Sequence, residues 1–102
     1  MITSAGIRTL GEFLVNNVSH GQYRIGSQWH NVEVFQTKQT SNDQVIIYLN
    51  LDDTVSGTIS GKRLIQQDGT VFDEQPENIS KPRTKGLLLA FRYRLREVED
   101  EI

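Results

Sequence analysis

The chain contains no cysteine, and it has only two prolines and one tryptophan among its 102 residues. Without cysteine, disulfide bonds and thiolate metal sites are excluded, and the sequence does not require an oxidising compartment. No apolar run approaches the ~18 residues that cross a bilayer, and the N-terminus lacks a basic segment followed by an apolar core. We therefore expect a protein that carries no secretory signal peptide and does not span a membrane.

Neither sign of charge dominates, since the formal net charge is −2. Non-specific binding of nucleic acid usually needs a clear positive excess, so the total charge argues mildly against it. The distribution is less even, because the last quarter of the chain holds Lys81, Arg83, Lys85, Arg92, Arg94 and Arg96, followed by Glu97, Glu99, Asp100 and Glu101. A basic segment next to an acidic one can pair within a chain or between neighbouring copies.

Residues that carry catalysis or hold metals are also scarce. The two histidines, His20 and His30, have no cysteine and no ordered carboxylate partner in the sequence. Asp52 and Asp53 are adjacent in a predicted turn, whereas general acid–base catalysis needs two carboxylates held across a cleft in different environments. No glycine-flanked serine elbow or phosphate-binding glycine loop occurs. We predict that the protein is not an enzyme and has no catalytic, cofactor-binding or metal-binding residues.

The length predicts a single domain that spans residues 1–102. Its first part, residues 4–20 approximately, has the periodicity of an amphipathic helix, with an apolar stripe formed by Ile7, Leu10, Phe13, Leu14 and Val18. Thr3 or Ser4 can cap the start of this helix, and Gly21 can end it. A lone helix of this length is marginal in water, so we expect it to pack against a sheet.

The β-rich region covers residues 22–98 approximately. Gln22–Ile25 and Trp29–Gln36 flank a predicted hairpin turn, and Gln44–Leu51 has the apolar pattern of a central strand covered on both faces. Thr58-Ile59 is predicted as a short edge piece, and Asp68-Gly69 as the turn of a second hairpin. Residues 75–85 contain both prolines and few apolar groups, which predicts a long surface loop.

The last segment gives the clearest strand pattern. Leu87–Ala90 is apolar on both faces, which predicts burial from both sides. From Phe91 onward, apolar side chains alternate with Arg92, Arg94 and Arg96, so one face of the strand is apolar and the other cationic. We therefore predict an α+β fold, with an N-terminal helix packed on an antiparallel β-sheet or β-sandwich of about six or seven short strands.

Two aromatic residues and six cations are candidate interaction residues. Phe13 lies on the apolar stripe of the helix, and we predict that Phe13→Asp disrupts the fold or an oligomer. Trp29 is of a type enriched in binding hot spots, although core packing is the more ordinary role of a lone tryptophan. The basic candidates, which could bind phosphates or simply form a solvated sheet face, are Lys81, Arg83, Lys85, Arg92, Arg94 and Arg96.

The segments Ile7–Leu14, Asp68-Gly69 and Phe91–Val98 together form an arrangement of an N-terminal helix followed by strands. In this arrangement the chain resembles small accessory proteins encoded among bacteriophage and prophage tail and baseplate genes. The resemblance covers most of the chain as architecture. It implies a structural or assembly protein that works in several copies in the cytoplasm or the virion, with no catalytic residues to carry over.

Three functional hypotheses follow. The first is a non-enzymatic interaction module, of phage or prophage origin, that forms a homo-oligomer or joins a larger virion or tail assembly through protein partners. The second is a nucleic-acid-binding protein that uses the C-terminal arginine strand, whose binding would fall steeply with salt. The third is a small enzyme or ligand carrier, for which the sequence locates no pocket.

Overall fold

The computed structural model describes residues 1–41 and 43–96, so the predictions for residues 97–101 lie outside the described part of the chain. Within these ranges the chain forms one helix followed by seven strands. In chain order the elements are α1 (Ser4–Asn17), β1 (Val18–Ile25), β2 (Gln28–Val32), β3 (Val34–Ser41), β4 (Gln44–Leu51), β5 (Gly57–Gln66), β6 (Val71–Lys81) and β7 (Leu87–Arg94). The predicted α+β class, with an N-terminal helix and six or seven strands, is confirmed.

The helix α1 begins where the sequence predicts. Thr3 is the N-cap, and its hydroxyl oxygen accepts a hydrogen bond from the Gly6 N–H at 3.1 Å. This bond satisfies one of the N–H groups that a helix start leaves without an internal partner.

The end of α1 differs from the prediction. The helix stops at Asn17 because Val18 adopts extended backbone angles and pairs with Gln66 in a sheet. The predicted end at His20, with Gly21 as the cap, is therefore wrong. A β-branched residue gains little from another helical turn and more from the sheet ladder, which only the tertiary fold provides.

The seven strands form two antiparallel sheets, with the orders β2-β1-β5-β6 and β3-β4-β7. The segment Trp29–Gln36, predicted as one strand, is divided at Glu33 between β2 and β3. These two strands belong to different sheets, so the chain passes from the four-stranded to the three-stranded sheet at this point.

Both predicted hairpin turns are present. Gly26 and Gly69 have φ angles of +63° and +89°, values that suit glycine because it has no Cβ. In the second hairpin the Gly69 N–H donates to the Gln66 carbonyl at 2.9 Å, and the Asp68 carboxylate accepts from the Thr70 N–H at 3.0 Å. The same carboxylate accepts from the Thr70 hydroxyl at 2.7 Å, and these two hydrogen bonds lower the pKa of Asp68.

Two predictions for the middle of the chain are wrong. Thr58-Ile59 is not an edge piece, because it begins the ten-residue strand β5, which pairs with both β1 and β6. The predicted loop 75–85 is mostly strand, since β6 continues to Lys81 and only residues 82–86 connect it to β7. Pro76 is tolerated in β6 because this is the last strand of its sheet, where one backbone side needs no ladder partner.

The hydrophobic core contains side chains from both sheets. β4 contributes four residues with at most 1% of their surface exposed, Val45, Ile47, Leu49 and Leu51. The prediction that this strand is central is confirmed, whereas its opposite face is buried at Ile46, which is 4% exposed, and only partly at Tyr48. A Cβ on Gly21 of β1 would overlap the Leu49 side chain, so the two sheets approach each other closely at this glycine.

The last strand is buried on one face only. Leu89 and Phe91 of β7 belong to the core, with 2% and 0% of their surface exposed. Leu88 is 53% exposed, so the prediction that Leu87–Ala90 is covered on both sides is wrong. Leu88 lies on the same face of the sheet as the exposed Arg92 and Arg94, and this face is a surface of the molecule.

Candidate interaction surfaces

The helix α1 turns a different face to the core than its apolar stripe predicts. Leu14 and Val15 pack against the core, and Gly11, one helical turn before them, is buried on the same side of the helix. A Cβ on Gly11 would lie 3.0 Å from the nearest Val45 methyl group and closer still to the amide of Gln39. The helix therefore approaches β4 through its glycine, which rotates part of the apolar stripe away from the sheets.

The consequence is an exposed apolar surface on α1, formed by Leu10 and Phe13, which we call the helix surface. Leu10 is 47% exposed and Phe13 is 67% exposed. The first two residues of β6, Val71 and Phe72, are also exposed. They lie at the same end of the molecule, because the turn before them is bound to the helix end by a 2.9 Å hydrogen bond from the Gln67 N–H to the Asn17 carbonyl.

Trp29 lies within a polar cluster on the outer face of the four-stranded sheet. The guanidinium carbons of Arg24 and Arg63 lie 5.2 Å and 4.0 Å from its ring centroid, which is the geometry of cation–π contacts. Arg63 also donates to Gln22 at 2.6 Å and pairs with Glu74 at 3.2 Å. Two guanidinium groups already contact the tryptophan ring, so Trp29 has a structural role within this cluster.

The six basic candidates do not form one surface. Lys81 is 3% exposed and its ammonium group donates to the Val55 carbonyl at 2.6 Å, so it stabilises the fold from within. Arg83 and Lys85 are exposed in the connection before β7, whereas Arg92 and Arg94 are exposed near the other end of that strand. From Leu87 to Arg92 the strand rises by about 17 Å.

The cations at the far end of β7 share a face with one that the sequence did not indicate. Ile46 of β4 pairs with Lys38 of β3 on one side and with Arg92 of β7 on the other. Lys38, Arg92 and Arg94 are exposed, and we call them the cationic face. Arg94 lies 4.0 Å from the exposed Asp43 carboxylate, and Arg96 is exposed just beyond the strand. Lys38 was missed because strand pairing, not chain position, brings it beside Arg92.

A polar seam runs between the two sheets where β5 and β6 meet β7. Lys62 is 7% exposed, and its ammonium group donates to the Ala90 carbonyl at 2.7 Å and pairs with Glu77 at 2.9 Å. The same group lies 4.9 Å from the ring centroid of Phe91. Nearby, the Tyr93 hydroxyl donates to the Asp73 carboxylate. The sequence did not indicate this seam, because its residues become neighbours only when the sheets pack.

Tyr93 should make the protein sensitive to alkaline pH. Burial, and then its hydrogen bond to Asp73, raise the pKa of this hydroxyl. The unfolded chain releases the proton near the ordinary tyrosine pKa of about 10, while the folded chain keeps it, so stability should fall as pH rises above about 10. The free energy of unfolding should fall by less than ~1.4 kcal/mol per pH unit, because the side chain is only partly buried.

Urea unfolding at pH ~8 and ~11 measures this slope, and Tyr93→Phe should reduce it. An unchanged slope in that variant would assign the alkaline loss to other groups.

The two histidines and Asp52 make local contacts. His20 contacts the Ser19 hydroxyl at 3.0 Å, and His30 stacks on Tyr23 with ring centroids 5.2 Å apart. Asp52 accepts hydrogen bonds from both the backbone and the hydroxyl of Thr54, which lower its pKa. In residues 1–41 and 43–96 there is no cluster of three side chains suited to holding a metal ion.

A shallow groove of about 360 Å³ lies between α1 and β3, and its lining includes Glu12, Val15 and Lys38. Glu12 is within 3.8 Å of Arg8, four residues before it on the helix. Among the described residues, no helix has both the length and the apolar character needed to cross a bilayer.

Comparison of the chain with protein-family models, with curated proteins and with solved structures gave no match.

Proposed function

We propose that the protein is a non-enzymatic interaction module that self-associates or joins a larger assembly, and that it docks through the helix surface. The observation that supports this proposal best is the exposure of Phe13 and Leu10, one helical turn apart. Large aromatic side chains exposed beside other apolar residues are characteristic of docking sites. The resemblance to phage and prophage accessory proteins makes a virion or tail assembly part of the same proposal.

The helix surface has the composition of an interface centre. Positions one turn before Leu10 and one turn after Phe13 are Gly6 and Asn17, so this side of α1 carries no charge. The charged residues of the helix, Arg8 and Glu12, lie on the side that faces the groove at β3. Depletion of charge around an aromatic residue distinguishes the centre of an interface from the remaining surface.

Phe13→Asp should abolish association and leave the fold intact. The original side chain is 67% exposed, so little core packing is lost, while a charge placed in a desolvated contact is costly. Light scattering after size-exclusion chromatography, at low and high salt, should show a multimer for the natural chain and a monomer for the variant. An apolar contact should persist at high salt.

Arg8→Gln is the matched control, because it makes the same change in net charge at an exposed position beside Glu12, on the side of α1 that faces the groove. It should leave the mass in solution unchanged. A natural chain that stays monomeric at all concentrations would rule out self-association, and equal loss in both variants would rule out the helix surface.

Nucleic-acid binding is the second candidate function. The observation that favours it is the placement of Lys38, Arg92 and Arg94 on one sheet face. Against it, the six basic residues named from the sequence are divided among the interior and two distant surfaces. This function requires retention of an oligonucleotide that falls steeply with salt, because bound phosphates release counterions.

A further inference from the structure

The β7 strand offers a regular free edge. It pairs with β4 residue for residue from Leu87 to Arg94 with no shift of register. The other edge strand of the same sheet, β3, contains two register shifts. Bulges and twists protect an edge against addition of another strand, whereas a regular edge is a template for it.

Two hydrogen bonds show which backbone groups of β7 face this edge. The Leu95 N–H donates to the Asp43 carbonyl at 2.7 Å, so the backbone N–H and C=O groups of the odd-numbered residues point towards β4. The Ala90 carbonyl accepts from Lys62, whose strand belongs to the other sheet. Because the direction alternates along an antiparallel strand, the N–H and C=O groups of Leu88, Ala90, Arg92 and Arg94 point to the free edge. Of these groups, the Ala90 carbonyl accepts the hydrogen bond from Lys62.

Among the described residues, no strand lies next to β7 on the side away from β4, and this position faces β6 of the other sheet. The sheets contact each other through Gly21 of β1 against Leu49 of β4, and through Lys62 of β5 against Phe91 of β7. In the four-stranded sheet β6 lies one strand beyond β5, whereas in the described part of the three-stranded sheet no strand lies beyond β7. The inward-facing side chains of β6 are accordingly half-buried, as at Gln75 and Glu77. One more strand beside β7 would cover them.

The side chains along this edge specify the chemistry of the occupant. Arg92 and Arg94 are exposed, and the same face continues to Leu88. Directly opposite residues in neighbouring strands lie about 5 Å apart, and opposite charges there stabilise the pairing. We propose that the free edge of β7 adds an extended segment of a separate protein chain that carries acidic residues at alternate positions, opposite Arg92 and Arg94.

A second copy of β7 does not fit this place. Suppose that β7 paired with β7 of a second copy about a two-fold axis. The second copy's β5 would then lie beneath its own β7, in the position that β6 of the first copy already occupies. The overlap would be the full width of a strand, about 4.8 Å in the hydrogen-bonding direction. The added segment therefore cannot carry a second sheet packed against it on the side of β6. An extended tail or loop meets this condition.

The test uses the full chain and a labelled peptide in which glutamate alternates with valine, measured by fluorescence anisotropy. A peptide of the same composition with its glutamates consecutive is the control for charge alone. The alternating peptide should bind about tenfold more tightly than the control peptide, because only its acidic residues stand on one face opposite the arginines.

Two variants test the two parts of peptide recognition separately, the arginine side chains and the backbone hydrogen bonds of the free edge. Arg92→Glu with Arg94→Glu should weaken peptide binding at least about tenfold, whereas Arg83→Glu with Lys85→Glu makes the same change in net charge and should leave it unchanged. Ala90→Pro removes an N–H that points to the free edge and takes no part in the ladder with β4. It should weaken binding similarly while circular dichroism shows an intact fold. If Ala90→Pro does not fold, the arginine pair still decides the question.

Amide hydrogen exchange supplies an independent readout. Peptide binding should slow exchange at Leu88, Ala90, Arg92 and Arg94, and leave the odd-numbered amides of β7 unchanged, because those are already bonded to β4. Equal binding of both peptides, unchanged affinity in the arginine variant, or exchange without the alternating pattern would overturn the proposal. Binding of an oligonucleotide but of neither peptide would also overturn it. The helix surface is not part of this edge, so Phe13→Asp should bind the peptide normally whatever happens to its association.

Discussion

Replacing Phe91 with alanine is expected to lower the free energy of unfolding by about 4 kcal/mol. Phe91 is 0% exposed and belongs to the core cluster that joins both sheets. Removal of its ring leaves a cavity that β-strands held by their ladders cannot readily collapse to fill. It also takes away the ring over which the Lys62 ammonium lies. Urea unfolding followed by tryptophan fluorescence measures the change.

Leu88→Ala is the matched control for this prediction. Leu88 lies three residues before Phe91 on the same strand and is 53% exposed. Its truncation should change the free energy of unfolding by no more than about 0.5 kcal/mol. A similar loss of unfolding free energy in both variants would contradict the burial of Phe91 and the exposure of Leu88 on opposite faces of β7.

Lys62→Met should lower the free energy of unfolding by about 2–3 kcal/mol. Methionine keeps most of the buried aliphatic volume but removes the ammonium group. The Ala90 carbonyl then loses its 2.7 Å donor, and Glu77 loses the cation 2.9 Å away. Because the Glu77 side chain is 21% exposed, water can solvate part of its charge, which limits the loss.

Adding Glu77→Gln to Lys62→Met should recover part of this stability, since a neutral amide is cheaper to leave without a cation. The exposed pair Arg8–Glu12 gives the contrast, because Glu12→Gln should change stability by at most about 0.5 kcal/mol. Strictly additive effects of the two substitutions at Lys62 and Glu77 would contradict a direct interaction between them.

Predictions from the sequence were good where a local pattern carried the information. The cap at Thr3, the Asp68-Gly69 turn and the strand Gln44–Leu51 all depend on residues adjacent in the chain. Predictions failed where distant pairing decided the outcome. Lys81 has the sequence context of a surface cation, yet it is buried because β6 continues as a strand and brings its ammonium group to the Val55 carbonyl.

The candidate surfaces divide in the same way. The alternation of arginines from Arg92 was evident from the sequence, and the exposure of Phe13 was not. Periodicity identified the apolar stripe of the helix but could not indicate that Gly11, which is not part of it, would be the point of closest approach to β4. Close packing at a glycine is a property of two surfaces together, so one sequence window does not reveal it.

By itself the sequence determined the elements that short-range physics controls: a capped helix at the start, two glycine turns, an apolar central strand and a final strand with a cationic face. The tertiary structure alone decided how four strands and three strands share the core, which cations are buried, and which edge and which helix face are left open. The physical reason is the range of the interactions. Turns, caps and side-chain alternation arise between neighbours in the chain, whereas burial and edge exposure arise only from the contacts between distant strands.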